Sequence, residues 1–245
     1  MKPPGTEWTV FAHRGASGTE PENTLRAFRR ALEVGAGWIE LDVQAVGGRL
    51  LVFHDNRLER TTDGTGKLSN ASLEILRTLD AGGGERIPFL EEVLDLVGGR
   101  AGINIELKGR STASIAVPLI RTCLRQGPWT ADHFLLSSFR ETELETARRM
   151  DPDLRLGLLV RRLHPGALAF AHRLDAYSVH LPRFGATPRA MGAATGRGMK
   201  TFVFTVNEPE GAERMRSRGA AGVFTDFPER LIDSPDALGE GYGAR

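Results

Sequence analysis

The chain has 245 residues, 40% hydrophobic and 26% charged, as in an ordinary globular protein and unlike disordered, collagenous or disulfide-stapled chains. Its 32 basic and 31 acidic side chains leave a formal charge of +1, so no global field draws it to nucleic acid or to an anionic surface. The lone cysteine, Cys123, excludes an intrachain disulfide, and no run approaches the ~20 apolar residues of a membrane-spanning helix. The short apolar stretch ahead of His13 is no signal-peptide core, and the expectation is a soluble, cytoplasmic protein without stable membrane association.

Short β-branched or aromatic runs alternate with helical patterns from end to end, the signature of parallel strands joined by crossover helices. In chain order the predicted strands are 9–12, 38–44, 50–54, 103–107, 134–138, 154–160, 177–180, 201–206 and 222–225. Helical periodicity is clearest over 23–34, 89–97, 111–125, 141–150 and 209–217, with Asn23 placed to cap the first of these. Only Ala45-Val46-Gly47-Gly48-Arg49 separates the second and third strands, too short for a crossover. They must therefore form an antiparallel hairpin in which residue i faces about 95 − i. Removing that return strand leaves eight parallel strands, and ~250 residues is the usual size of one (β/α)8 TIM barrel. The expected fold is thus a single α/β barrel domain over 1–245. The turn-rich segment of about 56–88, with a helix near 72–79, is expected to form a small subdomain inserted after the hairpin, and 233–245 a loosely ordered tail.

In such barrels the active site gathers at the carboxyl ends of the strands, and the polar residues there form a coherent set. Glu40 and Asp42 lie two apart in one strand and so share a face, as do Glu106 and Lys108 in another, with apolar residues between them. Three inward carboxylates repel one another unless a cation sits among them, and oxygen-only ligands favour Mg2+ or Ca2+ over zinc. The hairpin returns His54 beside residues 41–42, and His13 arrives from the first strand, which supplies two histidines for paired acid and base catalysis. Arg14 and Lys108 add positive charge beyond what the cation brings, and that surplus suits a phosphate. His180 also ends a strand, where it either meets substrate or simply lines the cavity; His133, His164 and His172 are given no role. Taken singly, a Glu-x-Asp pair in a strand is most often a solvated face, and the weight rests on the coincidence of these residues at consecutive strand ends.

The runs Ala12-His13-Arg14-Gly15-Ala16-Ser17-Gly18, Pro21-Glu22-Asn23-Thr24, Ile39-Glu40-Leu41-Asp42-Val43, Val52-Phe53-His54-Asp55, Arg60-Thr61-Thr62-Asp63-Gly64 and Asn104-Ile105-Glu106-Leu107-Lys108, in that order, resemble the glycerophosphodiester phosphodiesterase family. The likeness continues through Ser137-Ser138-Phe139, Thr205-Val206-Asn207 and Gly222-Val223-Phe224-Thr225-Asp226-Phe227-Pro228. It implies a metal-dependent hydrolase that cleaves glycerophosphodiesters to glycerol 3-phosphate and an alcohol. By position, Glu40, Asp42 and Glu106 match the metal ligands, His13 and His54 the catalytic pair, and Arg14 and Lys108 the phosphate contacts. Phe204 stands where many members carry tryptophan, so a substrate contact there would be made by a different aromatic ring.

The nucleophile is either water or the vicinal glycerol hydroxyl, and either histidine can be the acid. Two rival readings use the same constellation: lysophospholipase D-type hydrolysis, which needs an apolar wall near the insertion, and a noncatalytic phosphate-ligand barrel, which need not retain both histidines. A metal-stabilised enolate chemistry on the same fold is a third. The sequence carries no signal of oligomeric state.

Overall fold

One face of every parallel strand packs against helices while the other lines an enclosed interior, so the residues on that second face decide what the interior can hold. The computed structural model describes residues 8–232. Its elements are β1 (Thr9–Ala12), α1 (Leu25–Glu33), β2 (Trp38–Val46), β3 (Arg49–Val52), α2 (Leu73–Leu76), α3 (Leu90–Val97), β4 (Gly102–Leu107), α4 (Thr112–Gln126) and β5 (Phe134–Ser138). They continue with α5 (Glu141–Met150), β6 (Arg155–Leu159), α6 (Pro165–Arg173), β7 (Ser178–Pro182), α7 (Pro188–Thr195), β8 (Lys200–Phe204), α8 (Pro209–Ser217), β9 (Gly222–Thr225) and α9 (Pro228–Ile232). All strands pair in parallel except β3, which returns antiparallel along β2, and the β1–β2 pairing closes the sheet into the expected TIM barrel.

In the hairpin, Val46 faces Arg49 and Val43 faces Val52, as expected of a turn centred on Gly47-Gly48. Both glycines have positive φ, +55° and +77°, which a two-residue turn of this hand requires. Ile39, Leu41 and Val43 of β2 and Ile103, Ile105 and Leu107 of β4 are buried in the large apolar cluster shared with the helices. The opposite faces carry Phe11, Trp38, Leu135, Phe202 and Phe224, which form a separate cluster in the interior. Phe11 stacks on Phe224 at 4.5 Å and meets Phe202 edge-on at 4.9 Å. Burying each such ring stabilises the fold by about 2 kcal/mol. Because Phe11 precedes His13 and Arg14, and Trp38 precedes Glu40 and Asp42, these rings form a floor, and the polar side chains further along collect above it at the carboxyl ends.

Several boundaries differ from expectation for local reasons. β3 ends at Val52: the Phe53 N–H still reaches the Asp42 carbonyl at 2.9 Å, but the carbonyls of His54 and Asp55 accept from the Gln44 side chain, at 3.2 and 2.6 Å, instead of continuing the ladder. The helix predicted over 72–79 is a single turn, α2. α6 and α7 escaped the periodicity because they are short and rich in glycine and alanine, and α9 because it is only five residues long; each begins at a proline, which suits a first helical turn. Thr24, rather than Asn23, caps α1, its Oγ1 accepting the Ala27 N–H at 3.2 Å. The segment between β3 and α3 holds a small apolar cluster of its own that includes Leu58, Leu68, Leu76 and Ile87. The predicted tail, 233–245, lies outside the described residues.

Candidate active site

The chain leaves β1 through His13, Arg14 and Gly15 in a turn where both Arg14 and Gly15 have positive φ, +56° and +79°. A Cβ on Gly15 would lie 2.6 Å from the Ala27 carbonyl carbon, so only glycine lets this turn press against α1. The turn directs the Arg14 N–H to Glu40 Oε2 at 2.9 Å and brings the guanidinium Nε within 3.2 Å of Asp42 Oδ2.

Glu40 and Asp42 project from β2 and Glu106 from β4, where Asp42 and Glu106 are directly paired in register. An oxygen of each lies within 4.8 Å of those of the other two, although Glu40 and Asp42 are only 2% and 1% exposed. Burial and then the charges of Asp42 and Glu106 push the Glu40 carboxyl well above the usual range. Glu106 is raised to about 7, by burial first and then by Asp42. Burial acts on Asp42 in the same sense, but Arg14 and Lys108 overcome it and hold that carboxyl low. The Lys108 ammonium lies 2.9 Å from Glu106 and 3.6 Å from Asp42. Burial thus favours the protonated form of Glu40 and Glu106 but not of Asp42; the oxygen-only donor set fits a hard divalent cation.

Each of the two histidines is held at Nδ1 by a carboxylate. His13 Nδ1 lies 2.7 Å from Asp226 Oδ1, while its Nε2 faces the acidic cluster, 4.0 Å from Glu40 Oε2. Asp226 follows β9 and also accepts from Ser17 Oγ at 3.1 Å and Asn207 Nδ2 at 2.8 Å. Against the opposing effect of burial, the hydrogen bonds led by that from His13 hold Asp226 at about 2. His54 Nδ1 is bound to Asp55 Oδ1. Arg60, from the insertion, donates from Nε to Asp55 Oδ2 at 2.5 Å and from both Nη to Glu22 at 2.7 and 2.8 Å. Glu22 in turn accepts from Arg14 Nη1 at 2.8 Å, so one chain of hydrogen-bonded charges runs from His54 through Asp55, Arg60 and Glu22 to Arg14. His54 is held below the usual imidazole range, by burial first and by the nearby charges of Arg14 and Lys108, against the pull of Asp42.

The structure therefore brings His13, Arg14, Glu40, Asp42, His54, Glu106 and Lys108 together at the mouth. Phe204 also reaches it, half-buried at the end of β8, with the exposed ring of Phe139 edge-on at 6.2 Å. His180 does not. Its ring has no exposed surface, its Nε2 is 2.9 Å from Ser178 Oγ, and it packs against Phe224 at 5.1 Å and Phe202 at 5.5 Å. Burial alone lowers it to about 3, so it is a neutral core residue and the expected substrate contact is withdrawn. Asn23, freed from the capping role, donates to Asp42 Oδ2 at 3.0 Å and accepts the Asp42 N–H at 3.3 Å. Its conformation, φ +58°, is what aims it there, and no sequence pattern signals that.

Two clefts lie beside these residues, neither of them lined by Glu40, Asp42 or Glu106. One, of about 410 Å³, lies between His54, Arg57, Lys108 and Arg140. The other, of about 530 Å³, runs under the insertion and is lined by Glu20, Glu22, Arg60, Asp63 and Asp80 among others.

Carboxylate-bound histidines beside a buried acidic cluster and fixed cations, at the carboxyl end of a TIM barrel, define a phosphoester-cleaving enzyme. The model of the glycerophosphoryl diester phosphodiesterase family matches residues 13–230, and the chain belongs to that family. A glycerophosphodiester phosphodiesterase of Caldanaerobacter subterraneus subsp. tengcongensis is 39% identical over 237 residues, covering 91% of this chain and 96% of the relative. That of Bacillus altitudinis is 35% identical over 248 residues, with coverage of 91% and 96%. The solved structure of an Oleispira antarctica phosphodiesterase in complex with the product sn-glycerol-3-phosphate superposes with a TM-score of 0.84 at 32% identity, covering 92% of this chain and 97% of that one.

Proposed function

We propose that the chain hydrolyses glycerophosphodiesters to glycerol 3-phosphate and an alcohol, with one divalent cation, Mg2+ or Ca2+, and with His13 and His54 as the acid–base pair. The observation that carries this is the pairing of each histidine's Nδ1 with its own carboxylate beside the three-acid cluster. With Nδ1 occupied, Nε2 is the nitrogen left to take or give a proton. Glu40, Asp42 and Glu106 would hold the cation, which when bound supplies positive charge to a non-bridging phosphate oxygen. Arg14, held by Glu22 and Asp42, and Lys108, held by Glu106, keep fixed positions from which to bind the other phosphate oxygens without reorganising. His54, kept neutral by its surroundings, is in the state a base needs to accept the nucleophile's proton. His13, held at Nδ1 by Asp226, then protonates the departing alkoxide from Nε2. The half-buried Phe204 and exposed Phe139 offer a ring surface to the organic part of the substrate.

The lysophospholipid reading gains no continuous apolar wall on the insertion side, where the cleft mixes Pro21 and Ala81 with Glu20, Glu22, Arg60, Asp63 and Asp80. The deciding experiment measures glycerol 3-phosphate release from glycerophosphocholine and glycerophosphoethanolamine after EDTA treatment and then with added Mg2+ or Ca2+. Activity restored by metal and reduced by about 10²-fold or more in His13→Ala and His54→Ala supports the assignment. Full activity in either variant, or without metal, removes that component from the mechanism.

A further inference from the structure

β5, β6, β7 and β8 are consecutive neighbours in the barrel, so the loops leaving their carboxyl ends adjoin on one side of the mouth. Before the next helix begins, the loops after β5, β6 and β7 carry Phe139-Arg140, Arg161-Arg162 and Arg183-Phe184, and no aspartate or glutamate. All six side chains are exposed; Phe184, at 83%, is the most exposed large apolar residue among those described, and Phe139 is 42% exposed. The β6 and β7 loops touch, since a Cβ on Gly185 would lie 3.6 Å from the Arg161 carbonyl oxygen. Phe139 leans onto Phe204, which joins this rim to the catalytic mouth. Among the described residues, no carboxylate is ion-paired with Arg140, Arg161, Arg162 or Arg183; Arg140 is instead anchored to the Lys108 carbonyl at 3.0 Å. The cleft beside the insertion differs, since its Glu20 and Glu22 are ion-paired with Arg26, Arg14 and Arg60. The uncompensated arginines are thus gathered on the rim formed by the loops after β5, β6 and β7.

We propose that this rim docks the mouth reversibly on the surface of an anionic phospholipid bilayer, with Phe184 seated among the headgroups and Arg161, Arg162 and Arg183 meeting lipid phosphates. Interfacial binding of this kind draws on both a shallow apolar contact and attraction to anionic lipid, and the loops supply the two side by side. A soluble acidic polymer would satisfy the arginines yet leave Phe184 in water. Resting on the proposed function, the contact also has a chemical rationale: a glycerophosphodiester is what remains when two waters hydrolyse both acyl esters of a phospholipid. The class of reaction that supplies the substrate is thus ester hydrolysis at a bilayer, and docking holds the entrance where that product is released.

The test is co-sedimentation of the purified chain with vesicles of phosphatidylglycerol and phosphatidylcholine, or of phosphatidylcholine alone. Wild type, Phe184→Ser and the double variant Arg161→Glu, Arg162→Glu are compared at low salt and at about 0.5 M salt. Binding is expected only to the anionic vesicles. It should fall on adding salt, fall in Phe184→Ser, and drop about 25-fold or more in the double variant, at about fivefold for each arginine charge removed. Both variants alter exposed loops, so hydrolysis of soluble glycerophosphocholine should be unchanged in them. Equal binding to neutral vesicles, unchanged binding in the variants, or retention on an acidic polymer that is indifferent to Phe184 would each overturn the proposal. Vesicle binding by a chain that does not cleave glycerophosphocholine would instead sink the proposed function and leave the docking surface standing.

Discussion

Replacing Arg60 with Gln asks whether the insertion tunes His54, the proposed base. Arg60 is the link between Asp55, which holds His54, and Glu22, which holds Arg14. It is also the leading reason that Asp55 lies at about 2 rather than at its ordinary 3.8. A shift of that size corresponds to about 2.5 kcal/mol in all. His54 shares it, and Arg60 is 47% exposed, so solvent screening leaves about 1 kcal/mol as the contribution lost. Because Asp55 is depressed in the folded state, this stabilisation is present above the unfolded carboxylate range and disappears as pH falls towards 2. Arg60→Gln should therefore be about 1 kcal/mol less stable at neutral pH, with the difference closing in acid. Asp55, no longer shared with a guanidinium, would act more fully on His54 and make it easier to protonate. The acid limb of kcat/KM against pH should then move up by about half a unit to one unit, with kcat about tenfold lower, and Arg60→Lys should restore part of both. Steady-state kinetics on glycerophosphocholine across that limb, alongside urea denaturation, measures the two effects. An acid limb that stays in place while stability falls would refute the reasoning and leave Arg60 as a purely structural tether.

Asp226→Asn removes the charge that faces His13 Nδ1 and puts an amide donor there that can reverse the imidazole tautomer, and it should lower kcat by about 10² to 10⁴, with the melting temperature changed by only a few degrees. Activity near wild type would remove Asp226 from the catalytic unit. At Gly157 an added Cβ would lie 2.6 Å from His180 Nε2 and 2.9 Å from Ser178 Oγ, so Gly157→Ala should destabilise by about 1–3 kcal/mol in urea while kcat of the folded enzyme persists. A selective loss of activity there would return His180 to the site. Asn23→Ala deletes both hydrogen bonds to Asp42 and should weaken the cation dependence of activity about 10- to 100-fold; an unchanged metal titration would make Asn23 a backbone-conformation residue only.

The barrel was legible because strand-type runs alternate with helical patterns along the chain, and the one short connection at Gly47-Gly48 could only be a hairpin. The metal-type cluster was legible because Glu40 with Asp42, and Glu106 with Lys108, obey the two-residue period of a strand. What the sequence concealed was mostly the partnership of residues far apart in the chain. His13 and Asp226 come together only because β1 and β9 are neighbours at the closure of the barrel. Arg60 reaches Glu22 from an insertion whose path no periodicity describes. His180 misled because a strand-end position looks the same whether the side chain rises into the mouth or packs on the aromatic floor. The difference was made by Gly157 and Ser178, which together leave room for the ring.

The carboxylates at the mouth fall into two groups, and the division explains why a cation belongs here. Asp42, Glu22, Asp55 and Asp226 each have a cationic or donor partner close enough to keep them ionised. Glu40 and Glu106 are pushed the other way, by burial first and then by the neighbouring carboxylates, an effect that Arg14, and for Glu106 the Lys108 ammonium at 2.9 Å, only partly offset. The unneutralised charge is thus concentrated on two acids whose removal should relieve the metal-free protein. In EDTA, Glu40→Gln is expected to be more stable than wild type by about 1–2 kcal/mol, since the glutamine oxygen can still accept the Arg14 N–H. Asp42→Asn is expected to lose about 3 kcal/mol, because it strips Arg14 and Lys108 of a buried counter-charge. Opposite signs in the two denaturation curves, together with metal-dependent activity lost in both variants, would show a site held in electrostatic deficit for a cation. Equal destabilisation in the two would mean that Glu40 is as well compensated as Asp42, and the argument for a cation from charge balance would fail.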